Sequence, residues 1–291
     1  GIEIRIAESA DPAAFAALCN GRTRAIFGES MGNPTCAVLD LEALGRMAQK
    51  ADIPLVIDNT FGAGGYLCNP LKWGANIIVD SATKWIIVDG GNFDWSGFPG
   101  IDCPSEGYHG LNLWTTFGNA AFAVKCRVDG LRDLGTCPSP FDCYLMMLGL
   151  ETLSLRVRHQ VESTRRVAEF LAASPAVKKV SYVGFADNPW HEAAAKYFRS
   201  GAGAVLNVEL QGDLATTVKF VESLQLCMHM TMIGDSVTAV THPASTTHKQ
   251  LSAEDLAQAG VTPTLLRVSP GLEDPEDIIA DFSQAFRKAD I

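Results

Sequence analysis

Pro54-Leu55-Val56-Ile57-Asp58-Asn59-Thr60 and, further on, Asn76-Ile77-Ile78-Val79-Asp80-Ser81-Ala82-Thr83-Lys84-Trp85 are the stretches whose reading decides the fold. Each is a short apolar run rich in β-branched residues that ends on a polar cluster, the pattern of a strand buried on both faces. Such runs alternating with helix-like segments predict parallel βαβ units. Ligands collect at the carboxyl ends of strands in these sheets. Asn33, Asp58, Thr60, Ser81, Thr83 and Lys84 all follow predicted strand ends, so one cleft is expected to gather them.

Upstream, residues 24–28 read as a strand followed by the polar turn Glu29-Ser30-Met31-Gly32-Asn33-Pro34. A helix is predicted from Asp40 as N-cap, with Leu41, Leu44, Met47 and Ala48 on one face. After Asp58 come the glycines of Gly62-Ala63-Gly64-Gly65 and a further helix-like link to Ile77. Residues 92–114, rich in glycine, proline and aromatics, predict a long surface-hugging loop. The apolar run 145–155 continues into Val161, Val167, Phe170 and Leu171 at helical spacing, which predicts one long helix bridging into a second domain.

In that second domain, 180–183, 204–210 and 237–241 read as strands and 214–224 as a helix. Asp274 as N-cap and Pro275 at the first helical position mark the last helix. The expected fold is therefore α/β: residues 1–142 form part of a large domain with a parallel-rich sheet, and 143–291 form a smaller α+β domain.

Of the 291 residues, 47% are hydrophobic and 19% charged, which excludes disordered and fibrous classes. The net charge of −10, with no basic run, argues against nucleic-acid binding. No apolar segment reaches the ~20 residues of a membrane span. The eight cysteines form no Cys-x-x-Cys pair, so free, mostly buried thiols in a reducing, cytoplasmic compartment are expected. The six histidines suggest no metal site.

Lys84 alone would read as a solvated charge, Ser81 and Thr83 as turn-capping hydroxyls, and Asp58 as a turn former. Their setting suggests more. A lysine at the end of an apolar strand can lose its proton and attack a carbonyl. Two hydroxyls two residues apart can serve one phosphate. A strand-end aspartate can keep a pyridine nitrogen protonated. Those are the protein groups that pyridoxal 5′-phosphate (PLP) chemistry needs.

The order of motifs makes a resemblance explicit. Asp58-Asn59-Thr60-Phe61, Ser81-Ala82-Thr83-Lys84-Trp85, Gly107-Tyr108-His109-Gly110-Leu111, Gly149-Leu150-Glu151-Thr152-Leu153-Ser154-Leu155-Arg156, His242-Pro243-Ala244-Ser245-Thr246-Thr247-His248 and Leu266-Arg267-Val268-Ser269 resemble the Cys/Met-metabolism family of PLP enzymes, its O-acetylhomoserine sulfhydrylase branch most of all. The resemblance implies the aspartate-aminotransferase-like architecture, fold type I. It also implies that Lys84 carries the cofactor as an imine and shuttles protons, that Asp58 pairs with the pyridinium nitrogen, and that Ser81 and Thr83 bind the phosphate with Thr60 nearby. Asn33 would contact the cofactor or the substrate carboxylate, which Arg267 grips; otherwise Arg267 would be a strand-edge surface residue. A homotetramer of catalytic dimers is the implied assembly.

Three departures from the family pattern stand out. An N-terminal stretch with a phosphate loop and a ring-stacking tyrosine is not among these residues, and the glycine/histidine-rich loop after the lysine motif is missing. A chain longer than 31.2 kDa is therefore expected, checked by intact mass. Met232 stands where the family usually places serine or asparagine near the substrate carboxylate. The expected reaction is γ-replacement on O-acetyl-L-homoserine with sulfide or a thiol. The alternatives are capture of the same vinylglycine-type intermediate by a carbon or amine nucleophile, a γ-lyase, and, from a different class, a non-catalytic truncated homologue.

Overall fold

The computed structural model describes residues 1–81 and 85–291, which group into two compact units. The first comprises Gly1–Gly28, Asp40–Thr60 and Pro70–Glu151; the second comprises Glu29–Leu39, Phe61–Asn69 and Thr152–Ile291.

In the first unit, helix α1 (Pro12–Leu18) precedes β1 (Ile26–Glu29), α2 (Leu41–Lys50), β2 (Leu55–Asp58), β3 (Ile77–Ser81) and β4 (Trp85–Asp89). The four strands form one sheet in the order β1-β2-β3-β4. Strand β2 runs parallel to β3, with Asp58 paired to Val79. Leu55 and Ile57 are fully buried, as a continuous apolar run predicts for a central strand. Asp40 caps α2 by accepting from the Ala43 N–H, and Leu41, Leu44 and Ala48 face inward. Gly45 is required there: a Cβ at that position would collide with the backbone of Trp73 and Gly74.

Two expectations need correcting in this unit. The link from β2 to β3 contains no α-helix, only 3₁₀ turns at Thr60–Gly62 and Pro70–Trp73. Positive φ at Ala63, Gly64 and Gly65 interrupts any helix, and Pro70 cannot extend one. The 92–114 segment is also more than a surface loop. Trp95, only 2% exposed, stacks on Phe122 with Ile101 and Leu113 beside it, a satellite core of its own.

Strand β4, not anticipated from the pattern, pairs antiparallel with β3, with Ser81 opposite Trp85. So few residues separate the two strands that a parallel crossover is impossible. The apolar run 145–155, expected to open one long helix, is instead divided between α3 (Pro140–Glu151) and α4 (Leu153–Ala173), with Thr152 between them. No residue of α3 is buried, although it carries Phe141, Tyr144, Leu145, Met147, Leu148 and Leu150.

The second unit adds β5 (Val177–Ser181), α5 (His191–Tyr197), β6 (Leu206–Leu210), α6 (Leu214–Glu222), β7 (Met228–His229), β8 (Ala239–Thr241), β9 (Leu265–Ser269) and α7 (Pro275–Ala289). Its sheet runs β5-β6-β9-β8-β7 and is antiparallel except for β7 and β8. One face, carrying Leu206, Val208, Leu210, Leu266 and Val268, packs with Val167, Leu171, Phe282 and Phe286 of α4 and α7. Each such side chain contributes roughly 1.5–3 kcal/mol by leaving water. The alternate residues, Asn207, Glu209, Leu265 and Arg267, project from the other face. Strand β9 is central, so Arg267 is neither an edge nor a surface residue. All eight cysteines are free, but only Cys36, Cys68 and Cys227 are buried, fewer than expected.

Candidate active site

The expected site residues fall into two clusters, one in each unit. In the first, Asp58 ends β2 with only 8% of its surface exposed. Its Oδ1 accepts the Thr60 backbone N–H at 2.9 Å, and Thr60 Oγ1 accepts the Ser81 N–H at 3.0 Å. Asn59 N–H donates to Val79 O at 2.7 Å, so the ends of β2 and β3 are tied together. Sequence reasoning treated Asp80 only as the end of a strand. Its carboxyl is pushed up to about 6, first by burial and then by the charge of Asp58, and its Oδ1 is buried without a hydrogen-bond partner among the described residues.

Among the described residues Asp58 has no cationic partner. A buried carboxylate with a second one beside it calls for positive charge. The protonated nitrogen of a pyridine ring supplies that charge in a planar N–H donor, so these residues fit PLP. Ser81 is exposed at the strand end. Thr83 and Lys84, expected to bind the phosphate and to carry the cofactor, lie outside the described residues.

The second cluster centres on Arg267 in the middle of β9, 3% exposed. Its Nη1 donates to Asn33 Oδ1 at 2.9 Å, and Nη2 donates to Thr231 O at 2.7 Å and Thr241 Oγ1 at 3.1 Å. Its Nε is buried with no acceptor, and no carboxylate pairs with it among the described residues. Burial lowers its pKa, yet a guanidinium keeps its proton. A charge so deeply desolvated and unpaired is costly unless an anion completes it, and a carboxylate fits its fork. Asn33 is held by its own N–H on Glu29 Oε2 at 2.8 Å. Met232 follows Thr231 and is 42% exposed.

Two neighbours of Arg267 escaped sequence reasoning. Thr241 and Asn207 are its cross-strand partners on β8 and β6. The period-two alternation of 204–210 was legible, but the register that places these residues beside Arg267 was not. Cys36 also lies near: burial pushes its thiol up to about 12, with the charge of Arg267 pulling the other way.

Among the described residues no cluster of histidine, cysteine and acidic side chains could hold a metal, and no helix is long and apolar enough to cross a membrane.

Known proteins show the same pattern along the whole chain. O-acetyl-L-homoserine sulfhydrylase 1 of Thermus thermophilus is 46% identical over 98% of this chain and 71% of its own length. Homocysteine synthase of Schizosaccharomyces pombe is 43% identical over 99% of this chain and 71% of its own. A Campylobacter jejuni structure described as an O-acetylhomoserine (thiol)-lyase superposes with a TM-score of 0.89 at 33% identity, covering 95% of this chain and 69% of that one; it carries N′-pyridoxyl-lysine-5′-monophosphate. The family model for Cys/Met metabolism PLP-dependent enzymes matches residues 1–287, and the chain belongs to that family.

Proposed function

We propose that this chain catalyses γ-replacement on O-acetyl-L-homoserine, with sulfide or a small thiol as the nucleophile. The Cγ–O bond breaks, acetate leaves, and a Cγ–S bond forms to give homocysteine or its thioether. When bound, PLP supplies an electron sink that makes the α- and β-protons of the amino acid removable and lets the γ-substituent depart.

The chain's own residues supply the rest. The Asp58 carboxylate, oriented by the Thr60 N–H, keeps the pyridine nitrogen protonated. The Ser81 and Thr83 hydroxyls hold the phosphate. Lys84 would anchor the cofactor, and its Nζ would move the α- and β-protons. Arg267 holds the substrate α-carboxylate by its charge and its unoccupied Nε–H, while Asn33 on Nη1 and Thr231 and Thr241 on Nη2 keep the guanidinium plane oriented. Met232 presents an apolar side chain to the approach of the second substrate.

The observation that carries this reading is Arg267: a guanidinium 3% exposed that lacks a carboxylate among the described residues. Supplying the protein with PLP, O-acetyl-L-homoserine and sulfide should yield homocysteine and acetate in equal amounts. Formation of ammonia and 2-oxobutyrate instead would point to the lyase, and no turnover would sink the reading.

The same reading takes the assembly to be a homotetramer of catalytic dimers. Helix α3, apolar and without a buried residue, suits a subunit interface. Eight free cysteines suit a reducing cytoplasm.

A further inference from the structure

Arg267 is the residue proposed to hold the substrate carboxylate, yet the structure closes it off. It is 3% exposed, and its free Nε–H is buried. A carboxylate that meets a guanidinium from the side uses Nε–H together with the neighbouring Nη2–H. Both Nη2 protons are already given away, to Thr231 O at 2.7 Å and to Thr241 Oγ1 at 3.1 Å. Binding from that side therefore requires one of these acceptors to leave.

The two acceptors are held very differently. Thr241 stands opposite Arg267 in the β8–β9 ladder, and its hydroxyl also donates to Met230 O at 2.6 Å, so it is fixed by the sheet. Thr231 lies between two anchors. On one side, Met230 N–H donates to Val240 O at 3.2 Å. On the other, Gly234 N–H donates to Ser269 Oγ at 3.0 Å, and Asp235 O accepts from the Gln160 amide at 2.7 Å. Between these anchors, residues 231–233 make one hydrogen bond among the described residues, the one from Arg267. Thr231 and Met232 are exposed, so little packing resists their movement. Asn33, on Nη1, is tied down instead. Its turn is closed by Gly32 N–H on Ala37 O and Cys36 N–H on Gly32 O, and the Asn207 amide holds Pro34 O.

We propose that residues 231–233 form a strap that the amino-acid substrate opens. The substrate α-carboxylate takes the Nη2–H now held by Thr231 O and pairs with Nε–H, and the strap lifts off the arginine between its anchors at Met230 and Gly234. While the site is empty, the closed strap keeps a buried guanidinium partly answered. A ligand without a carboxylate offers nothing in exchange and leaves the strap closed, because only a difference in affinity between two states can shift them. Met232 rides on the strap, so the first substrate repositions the apolar side chain that faces the second.

This opening rests on Arg267 being the carboxylate site, and the two fail in different ways. In the PLP-supplied chain, paramagnetic relaxation of isotope-labelled methionine methyl signals by a soluble gadolinium chelate reads the strap, and Met232→Leu identifies the Met232 signal. L-norvaline and pentanoate both carry the carboxylate. Each should raise the Met232 relaxation, by up to about twofold from its present 42% exposure, in step with binding measured by equilibrium dialysis. Butylamine should not, and Met228 on β7 should stay constant with all three. A ligand settling against an immobile strap would shield Met232 instead. Bound norvaline or pentanoate with the Met232 relaxation unchanged or lowered, or a rise with butylamine, overturns the strap and leaves the Arg267 assignment standing. Arg267→Met should weaken pentanoate binding ~10-fold or more. Wild-type affinity in that variant, or no pentanoate binding to the wild type, overturns the assignment and the strap with it.

Discussion

Asp281 and Asp58 are both buried acids, and their surroundings treat them in opposite ways. Asp281, on α7, receives the backbone N–H groups of Gln225, Leu226 and Cys227, each at 2.9 Å, and the Gln284 amide at 2.9 Å. Burial by itself would raise its pKa, but those donors outweigh it and hold the carboxyl below the usual aspartate range. Asp58 accepts one backbone N–H, has no cation among the described residues, and has Asp80 beside it. The first arrangement is complete within the fold and pins the 225–227 segment to a helix. The second is complete only when something positive arrives. What separates structure from function here is therefore how fully a buried charge is answered, rather than burial itself. Arg267 falls with Asp58, since its Nε–H lacks an acceptor.

The sharpest way to break that distinction is Asp58→Asn. It keeps the size and the Thr60 hydrogen bond but removes the charge, so kcat should fall by roughly 10²- to 10³-fold, the cost of losing one preorganised electrostatic contact. The melting temperature should barely move; a large drop would make Asp58 structural after all.

Asp281→Ala should do the reverse. Three backbone donors left without an acceptor cost about 2–4 kcal/mol of stability, read from urea unfolding, while kcat of the folded protein stays the same. The stabilisation by Asp281 is present above the ordinary aspartate range and is lost as pH falls through its lowered pKa. The variant should accordingly lose the acid limb of the wild-type stability profile.

Arg267→Lys retains charge but loses the fork. An expected ~10- to 100-fold fall in kcat/KM, seen mainly in KM, would show that bidentate geometry matters. An unchanged KM would remove Arg267 from the substrate site.

Asp80→Asn should have the smallest effect. The folded state holds the Asp80 proton up to about 6, above the ordinary aspartate value, so the unfolded state releases it more readily. The contribution is present at low pH and is lost as pH rises through about 6. Replacing a carboxyl that water partly reaches should therefore gain ~1 kcal/mol at neutral pH, and stability should flatten across that window. A variant with the same pH profile as the wild type would show that neither burial nor the charge of Asp58 raises the Asp80 carboxyl.

How far the chain could be read in advance differs between elements. The caps at Asp40 and Asp274 and the buried run ending at Asp58 follow local rules, because a helix start or a central strand is written in consecutive residues. The motifs that carry the family resemblance are equally local. Strand β4 and the break at Thr152 were not legible, since apolar residues in sequence do not say whether they continue an element or turn back on it. The same ambiguity hid α3, whose apolar side chains look like core in the sequence and stand exposed in the chain.

The sequence by itself determined which residue types end the strands, and with them the cofactor chemistry and the family. It did so because strand ends, caps and motif order are contiguous properties. Only the tertiary structure decided that Arg267 sits in a central strand with Asn33, Thr231 and Thr241 on its fork, and that Asp80 shares the field of Asp58. Those relations depend on register between strands distant in the chain, where one residue of slip would send every side chain to the opposite face.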